Sequence, residues 1–389
     1  MSENSKKAWQ TYRFGQMAIM VNDRIDNPAE ADVEHYVGLE HLDSDSLTIR
    51  RWGRPSDVEA TKLRFHAGDI IFGRRRVYQR KLALAHFDGI CSAHAMVLRA
   101  RPEVVLDEFL PFFMQSDVFM ERARRISVGS LSPTINWKTL SQEEFTLPPL
   151  DEQRRIAKVL NAFAVAGESL KIAASRAKEV HVSLLDKYFS SPDSDHLHQW
   201  QNLREVTFRV NDGTHQPPKF ISSGVPFLLV ANIVSGNIDW SVQKYVSVET
   251  FEQLSRAWRP QKDDILYSLV GSYGVPAMVD REVPFTFQRH IGLIRSDPGK
   301  IVPKFLYWYL RSPNGVQQSH LRAEGLAQKT ITLNALRAFR VPVPSMSHQH
   351  DIVTEIDSTH DCMMMLERRA SAAANTAKEF ANTHFGDNQ

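Results

Sequence analysis

Between Arg50 and Lys81 the chain carries ten basic residues (Arg50, Arg51, Arg54, Lys62, Arg64, Arg74, Arg75, Arg76, Arg80 and Lys81) against three acids, Asp57, Glu59 and Asp69. A local surplus of positive charge is the footprint of a phosphate-facing surface. The bland alternative is a solvated run balanced by residues 1–49, which hold nine acids and four bases. Within the run, FGRRRVYQRK (72–81) gathers Arg74, Arg75, Arg76, Tyr78, Arg80 and Lys81 in one short stretch. Loops that bring Arg, Gln, Asn, Tyr or His together are what hydrogen bonding to base edges requires. A second set lies downstream: Thr214 and His215 in NDGTHQPPKF (211–220), Tyr273 in GSYG (271–274), and Gln288, Arg289 and His290 in FTFQRH (285–290). With His94, which matches His290 in the repeat described below, these residues are the candidate nucleic-acid contacts.

Motifs for catalysis are not found. There is no GxxxxGK[ST] phosphate loop, no HExxH, no paired CxxC and no GxSxG elbow. His196-x-His198 and His348-x-His350 have spacing compatible with a metal, but solvated surface pairs are the simpler reading, and no metal site is expected. Absence of motifs moves weight toward a binding role without excluding an enzyme of another design. The two cysteines, Cys91 and Cys362, are far apart in unlike contexts, which fits a reducing, cytoplasmic compartment. No stretch of about 18 apolar residues is present to span a membrane, and the polar MSENSKKAWQ has no signal-peptide core. With 389 residues, 42% of them hydrophobic and a net charge of +2, two or three domains are expected.

These residues must be positioned by elements, and the elements occur twice. Shifted by 196 residues, His94 meets His290, Arg99 meets Arg295, Phe109 meets Phe305, Ser116 meets Ser312, Gly129 meets Gly325, Thr134-Ile135 meets Thr330-Ile331, Gln153 meets Gln349 and Ile156 meets Ile352. GDIIFG (68–73) resembles DDILYS (263–268) at an offset one residue shorter. Register held over more than sixty residues marks internal duplication. Residues 1–65 and 200–260 do not align, so each half has a variable front and a shared back. AMVLRA and HIGLIRS read as strands, DEFLPFFMQSDVFMERARR and PKFLYWYLRS as helices, with Phe112, Phe113, Trp308 and Tyr309 in the cores.

Each half ends in a long amphipathic pattern. Ile156, Leu160, Phe163, Gly167, Leu170, Ala174, Ala177, His181, Leu184 and Tyr188 alternate by four and three, as do Ile352, Ile356, Thr359, Met363, Leu366, Ala370, Ala373, Ala377, Phe380 and His384. Such a seam reads as coiled coil, weak at Gly167, His181, Thr359 and His384. Asp151 and Ser347 are the expected N-caps, and Asp151 and Glu152 suit the helix dipole. A seam of 33 residues is about 50 Å long at ~1.5 Å per residue. Mutual antiparallel pairing is the simplest way to cover both stripes. The alternatives are packing on each helix's own domain or on another subunit. The expected class is α+β: globular domains at 1–147 and 200–343, separated by long antiparallel helices at 148–190 and 344–386, with a linker at 191–199.

LPPLDEQRRIAKVLNAF, preceded by SPTINWKTLSQEEF, resembles the conserved region of type I restriction–modification specificity subunits, where a PLPP-x-x-EQ-x-x-I segment opens a spacer helix. VPVPSMSHQHDIVTEID is similar, but has His348 where that pattern has an acid; Gln349 and Ile352 are kept. The resemblance covers nearly the whole chain. It implies two target-recognition domains, each reading one half of a split double-stranded DNA target, and a helical spacer that sets the gap. At about 3.4 Å per base pair such a rod would set half-site centres roughly 10–15 bp apart. It also implies a non-catalytic subunit that recruits two methyltransferase subunits and, in systems that have them, two restriction subunits. S-adenosylmethionine, ATP and Mg would be bound by those partners. The spacer and partner-facing residues would be Gln153, Ile156, Leu160, Phe163, Leu170, Leu184, Gln349, Ile352, Ile356, Met363, Leu366 and Phe380. A protein-interaction scaffold, and a solitary specificity protein without a restriction partner, are the alternatives.

Overall fold

A computed structural model describes residues 9–190, 199–255, 259–326 and 328–385. The expected linker, 191–199, lies outside the described residues except for Gln199, and so do His196 and His198. The chain divides into two compact units. One comprises Met1–Lys171 with Arg368–Gln389, the other Ile172–Glu367.

In the first unit an antiparallel sheet runs in the order Ala18–Val21, Ala95–Ala100, Ile70–Gly73, Leu82–Leu84. Its central strand AMVLRA reads as a nearly continuous apolar run because both faces are covered. Met96, Leu98 and Ala100 enter a core with the helices. Ala95 and Val97 enter a second core, under a sheet of Arg24–Ile25, Lys62–Phe65, Gly89–Cys91 and Tyr36–Val37, the last strand pair parallel. The second unit repeats the first sheet as Thr207–Asp212, Ile291–Ser296, Ile265–Ser268 and Pro276–Met278. Its second sheet has three strands, Tyr245–Val246, Val225–Leu228 and Thr286–Phe287. The fronts that do not align in sequence thus share one edge strand and differ in the second sheet.

The repeated residues make equivalent bonds. Asp69 is fully buried and receives Arg99 through Nε at 2.7 Å and Nη2 at 3.0 Å; Asp264 receives Arg295 at 2.8 and 2.6 Å. Gln153 accepts the Leu106 N–H and donates to the Val104 and Pro148 carbonyls, all at 3.0 Å. Gln349 accepts the Val302 N–H at 2.7 Å and donates to the Lys300 and Pro344 carbonyls at 3.0 and 2.9 Å. Each partner of Gln349 is displaced by 196 from that of Gln153. These glutamines pin each long helix to the domain that precedes it rather than lining a helix–helix seam. Ile156 and Leu160, and likewise Ile352 and Ile356, belong to domain cores.

The long helices span Leu150–Tyr188 and Met346–Phe385. All ten seam positions of each are buried or half-buried, including Leu170, Leu184, Met363 and Leu366. Within the first unit Phe163 meets Phe380, ring centroids 6.4 Å apart. Within the second, His181 meets Thr359 at 3.1 Å and Tyr188 bonds Glu355. Higher numbers on one helix meet lower numbers on the other, so the pairing is antiparallel. Two sequence expectations need correction. The helices start earlier than the supposed caps: Asp151 lies inside the first turn, and Ser345, not Ser347, accepts the His348 N–H at its Oγ, at 3.4 Å. The helix read through 107–125 is broken into Leu110–Gln115 and Asp117–Arg125 at Ser116, whose hydroxyl caps the second piece.

Each domain core is completed by the other repeat's helix end. Phe385 packs on Phe109 and Phe113 at 5.3 and 5.8 Å. Phe189 packs on Phe305 and Tyr309 at 5.2 and 5.7 Å.

Candidate nucleic-acid interface

In the first unit the basic run separates into two kinds of residue. Arg50 is bound bidentately by Glu168 of the long helix and reaches Asp43 at 3.0 Å; these carboxylates hold its guanidinium above its ordinary pKa. Arg51 pairs with Asp43. Arg80 pairs with Asp45, and with Asp117 at 3.0 Å. Lys81 donates to the Leu39 carbonyl. These four groups hold the unit together. Asp43 and Asp45 belong to the acidic segment that precedes the basic run, whereas Glu168 and Asp117 come from helices downstream of it.

Arg74, Arg75 and Arg76 differ: among the described residues no carboxylate forms an ion pair with any of them. They follow strand Ile70–Gly73. Arg74 donates to the Ala93 carbonyl at 3.1 Å, and its Nε is buried without a hydrogen-bond partner. Arg75 and Arg76 each reach the Ser132 hydroxyl at 3.3 Å. Arg76 sits at φ +57°, where its backbone N–H donates to the Pro133 carbonyl at 2.7 Å. That turn leaves Arg76 and Tyr78 exposed. His94 stands close enough that its pKa is lowered, first by burial and then by Arg75 and Arg74. Burial and the two guanidinium groups thus disfavour the charged imidazole, whose neutral form can both accept and donate a hydrogen bond.

In the second unit Thr214 and Gln288 form a parallel bridge, with Thr214 N–H donating to the Phe287 carbonyl and Arg289 N–H to the Thr214 carbonyl, both at 3.0 Å. That pairing gathers Thr214, His215, Gln288, Arg289 and His290 on one edge. His215 faces Asp212 at 3.1 Å, and Arg289 Nε lies 3.3 Å from His290 Nε2. Tyr273 is bonded elsewhere, to His320 Nδ1 at 3.0 Å.

The loop bearing Arg74, Arg75 and Arg76 has a counterpart. Gly271 N–H donates to the Lys329 carbonyl at 3.1 Å as Arg76 N–H does to Pro133. Thr134 bridges Arg75, and Thr330 bridges Val270. The backbone is conserved between units while Arg74-Arg75-Arg76 becomes Leu269-Val270-Gly271. Sequence reasoning missed the partner loops, 127–135 and its equivalent, although the Gly129–Gly325 match marked them. Among the described residues no group of three or more His, Cys, Asp or Glu side chains could hold a metal, and no helix is long and apolar enough to cross a membrane.

The model of the type I restriction modification DNA specificity domain matches residues 9–172 and 223–373, most of the chain. The chain belongs to this family. Similar curated type I specificity proteins include the specificity subunit of the EcoBI restriction enzyme of Escherichia coli, 25% identical over 265 residues covering 61% of this chain and 55% of that one. The EcoDI specificity subunit of the same organism is 28% identical over 189 residues, 46% and 41% of the two chains. The chain thus spans about half the length of these relatives. A solved S subunit of the type I restriction–modification system from M. genitalium shares the fold, with a TM-score of 0.66 at 14% identity over 100% of this chain and 98% of that one. So does a chain from a study of complex assembly and conformational transition of the type I R-M system, with a TM-score of 0.56 at 21% identity over 97% and 96%.

Proposed function

We propose that this chain is the DNA-recognition subunit of a type I restriction–modification assembly. Each unit reads one half of a bipartite, asymmetric target in double-stranded DNA. The observation that carries the reading is a pair of equivalently hydrogen-bonded loops with unlike side chains: Arg75 and Arg76, without carboxylate partners, against Val270 and Gly271. A duplicated backbone offering different donors is suited to reading two different sequences, and unneutralised guanidinium groups suit guanine edges and phosphates.

On this reading the chain is not itself an enzyme. It works in the cytoplasm and docks two methyltransferase subunits, which bind S-adenosylmethionine and modify adenine. Where restriction subunits are present it docks two of these as well, and they use ATP and Mg. The test is co-purification with the products of neighbouring genes, followed by mapping of methylated adenines in the host genome. A two-part motif with a fixed gap, lost when this gene is deleted, is the expected result. An unchanged methylation pattern would remove the function.

A further inference from the structure

In each unit the most exposed large apolar side chain among the described residues is a leucine beside the candidate interface: Leu131 at 90% and Leu326 at 107%. Single exposed apolar residues are ordinary. These two stand on equivalent loops, VGSLSPT and EGLAQKT, one position out of register: Leu326 matches Ser130, and the residues the loops share are the glycine and the threonine. Each loop turns on a glycine in the left-handed region, Gly129 at φ +116° and Gly325 at φ +106°. Each is closed by a bridge, Val128 to Thr134 and Glu324 to Thr330, with paired N–H···O bonds of 3.1 and 3.0 Å and of 2.9 and 2.8 Å. Each is also bonded to the neighbouring loop, through Pro133 to Arg76 and through Lys329 to Gly271. Ser132, which Arg75 and Arg76 both reach, directly follows Leu131. Leu131 is therefore braced against the cations and Leu326 against a loop that lacks them; both side chains are directed into solvent, where they add nothing to their units' cores.

We propose that Leu131 and Leu326 are apolar wedges that enter the duplex between neighbouring base pairs, one in each half-site. Adjacent polar and cationic groups hold the backbone. The inference rests on the DNA-recognition reading. Aliphatic side chains inserted at a base step partly unstack it and kink the duplex, which brings more of the groove against the protein. Flexible pyrimidine–purine steps yield most readily, so each half-site would carry a preference at a step that receives no hydrogen bond.

The test uses the full chain with its modification subunits and a duplex enriched by that complex from a randomised pool. Unstacking is read by permanganate at thymines and diethyl pyrocarbonate at purines. The wild-type complex is expected to show one hyper-reactive step in each half-site. Leu131→Ala should abolish the step in the first half-site and Leu326→Ala the step in the second, each with a loss of affinity of roughly tenfold; Leu131→Met should retain it. Both side chains are solvated, so the melting temperatures of the variants should match wild type. A wild-type complex with no hyper-reactive step overturns the wedge. So does a finding that replacing a thymine by deoxyuridine costs as much as Leu→Ala and that the two losses do not add, which would mean a groove contact with the thymine methyl. Failure to enrich any duplex would instead defeat the DNA-recognition reading, and the wedge with it.

Discussion

Arg75 and Arg76 are distinguished from Arg50 and Arg80 by what binds them, and that difference sets what each substitution should do. Arg75→Ala or Arg76→Ala should weaken recognition of the first half-site alone, by about 1–3 kcal/mol if the guanidinium meets a base edge. Competition between duplexes altered in one half-site at a time would measure this; equal losses in both halves would refute assignment of the loop to one of them. Arg50→Ala should act on stability instead, because it leaves Glu168 without its bidentate partner. Gln153 and Gln349 are nearly fully buried, at 1% and 0% exposure. Replacing either by Leu strands a backbone N–H and two carbonyls, a cost of about 3 kcal/mol, visible as a fall in melting temperature with little change in the DNA sequence preferred. Their match in the repeat is legible from sequence; their task is not, since it lies in three backbone groups that only the fold brings to one point.

The long helices are the most legible elements. The four-and-three spacing occurs twice, and every position it marks is buried or half-buried. Even its weak points have partners: His181 bonds Thr359, and His384 stacks on Phe380 at 4.0 Å. The break at Ser116 is hidden because serine in a helical pattern looks unremarkable until its hydroxyl is seen capping the next turn. In the second unit His181 and His360 lie 5.4 Å apart, each against Trp308. Burial first lowers both pKa values. His360 and Arg311 lower that of His181 further, and Arg311 and Lys304 that of His360, against the opposing pull of Asp357 on both and Asp361 on His360. The folded state therefore takes up protons less readily than the unfolded chain. Their contribution to stability is complete above the unfolded value, about 6.5, and is lost as pH falls through the depressed folded values. The melting temperature should fall between about pH 7 and pH 5, and more steeply in wild type than in a His181→Asn, His360→Asn double variant. Parallel curves for the two proteins would show that the pair does not titrate in this way.

At the scale of the molecule the duplication is reciprocal. Phe385, at the end of the second repeat's helix, closes the core of the first unit, and Phe189, at the end of the first repeat's helix, closes the core of the second. Phe385→Ala should destabilise the first unit by about 3–5 kcal/mol, speeding amide exchange in strand Ala95–Ala100. Phe189→Ala should do the same for strand Ile291–Ser296. Exchange that rises only in the mutated helix would contradict the assignment. The reciprocity also sets a schedule for the newborn chain. The first unit holds its last early residue at Lys171 and resumes at Arg368, whereas the second needs nothing beyond Glu367. At a ribosome adding ~5–20 residues per second, the intervening stretch takes roughly 10–40 s. For that interval the domain made first waits with its core uncapped while the domain made second receives all its residues. Of the two units, the one made first is the one whose residues are complete last.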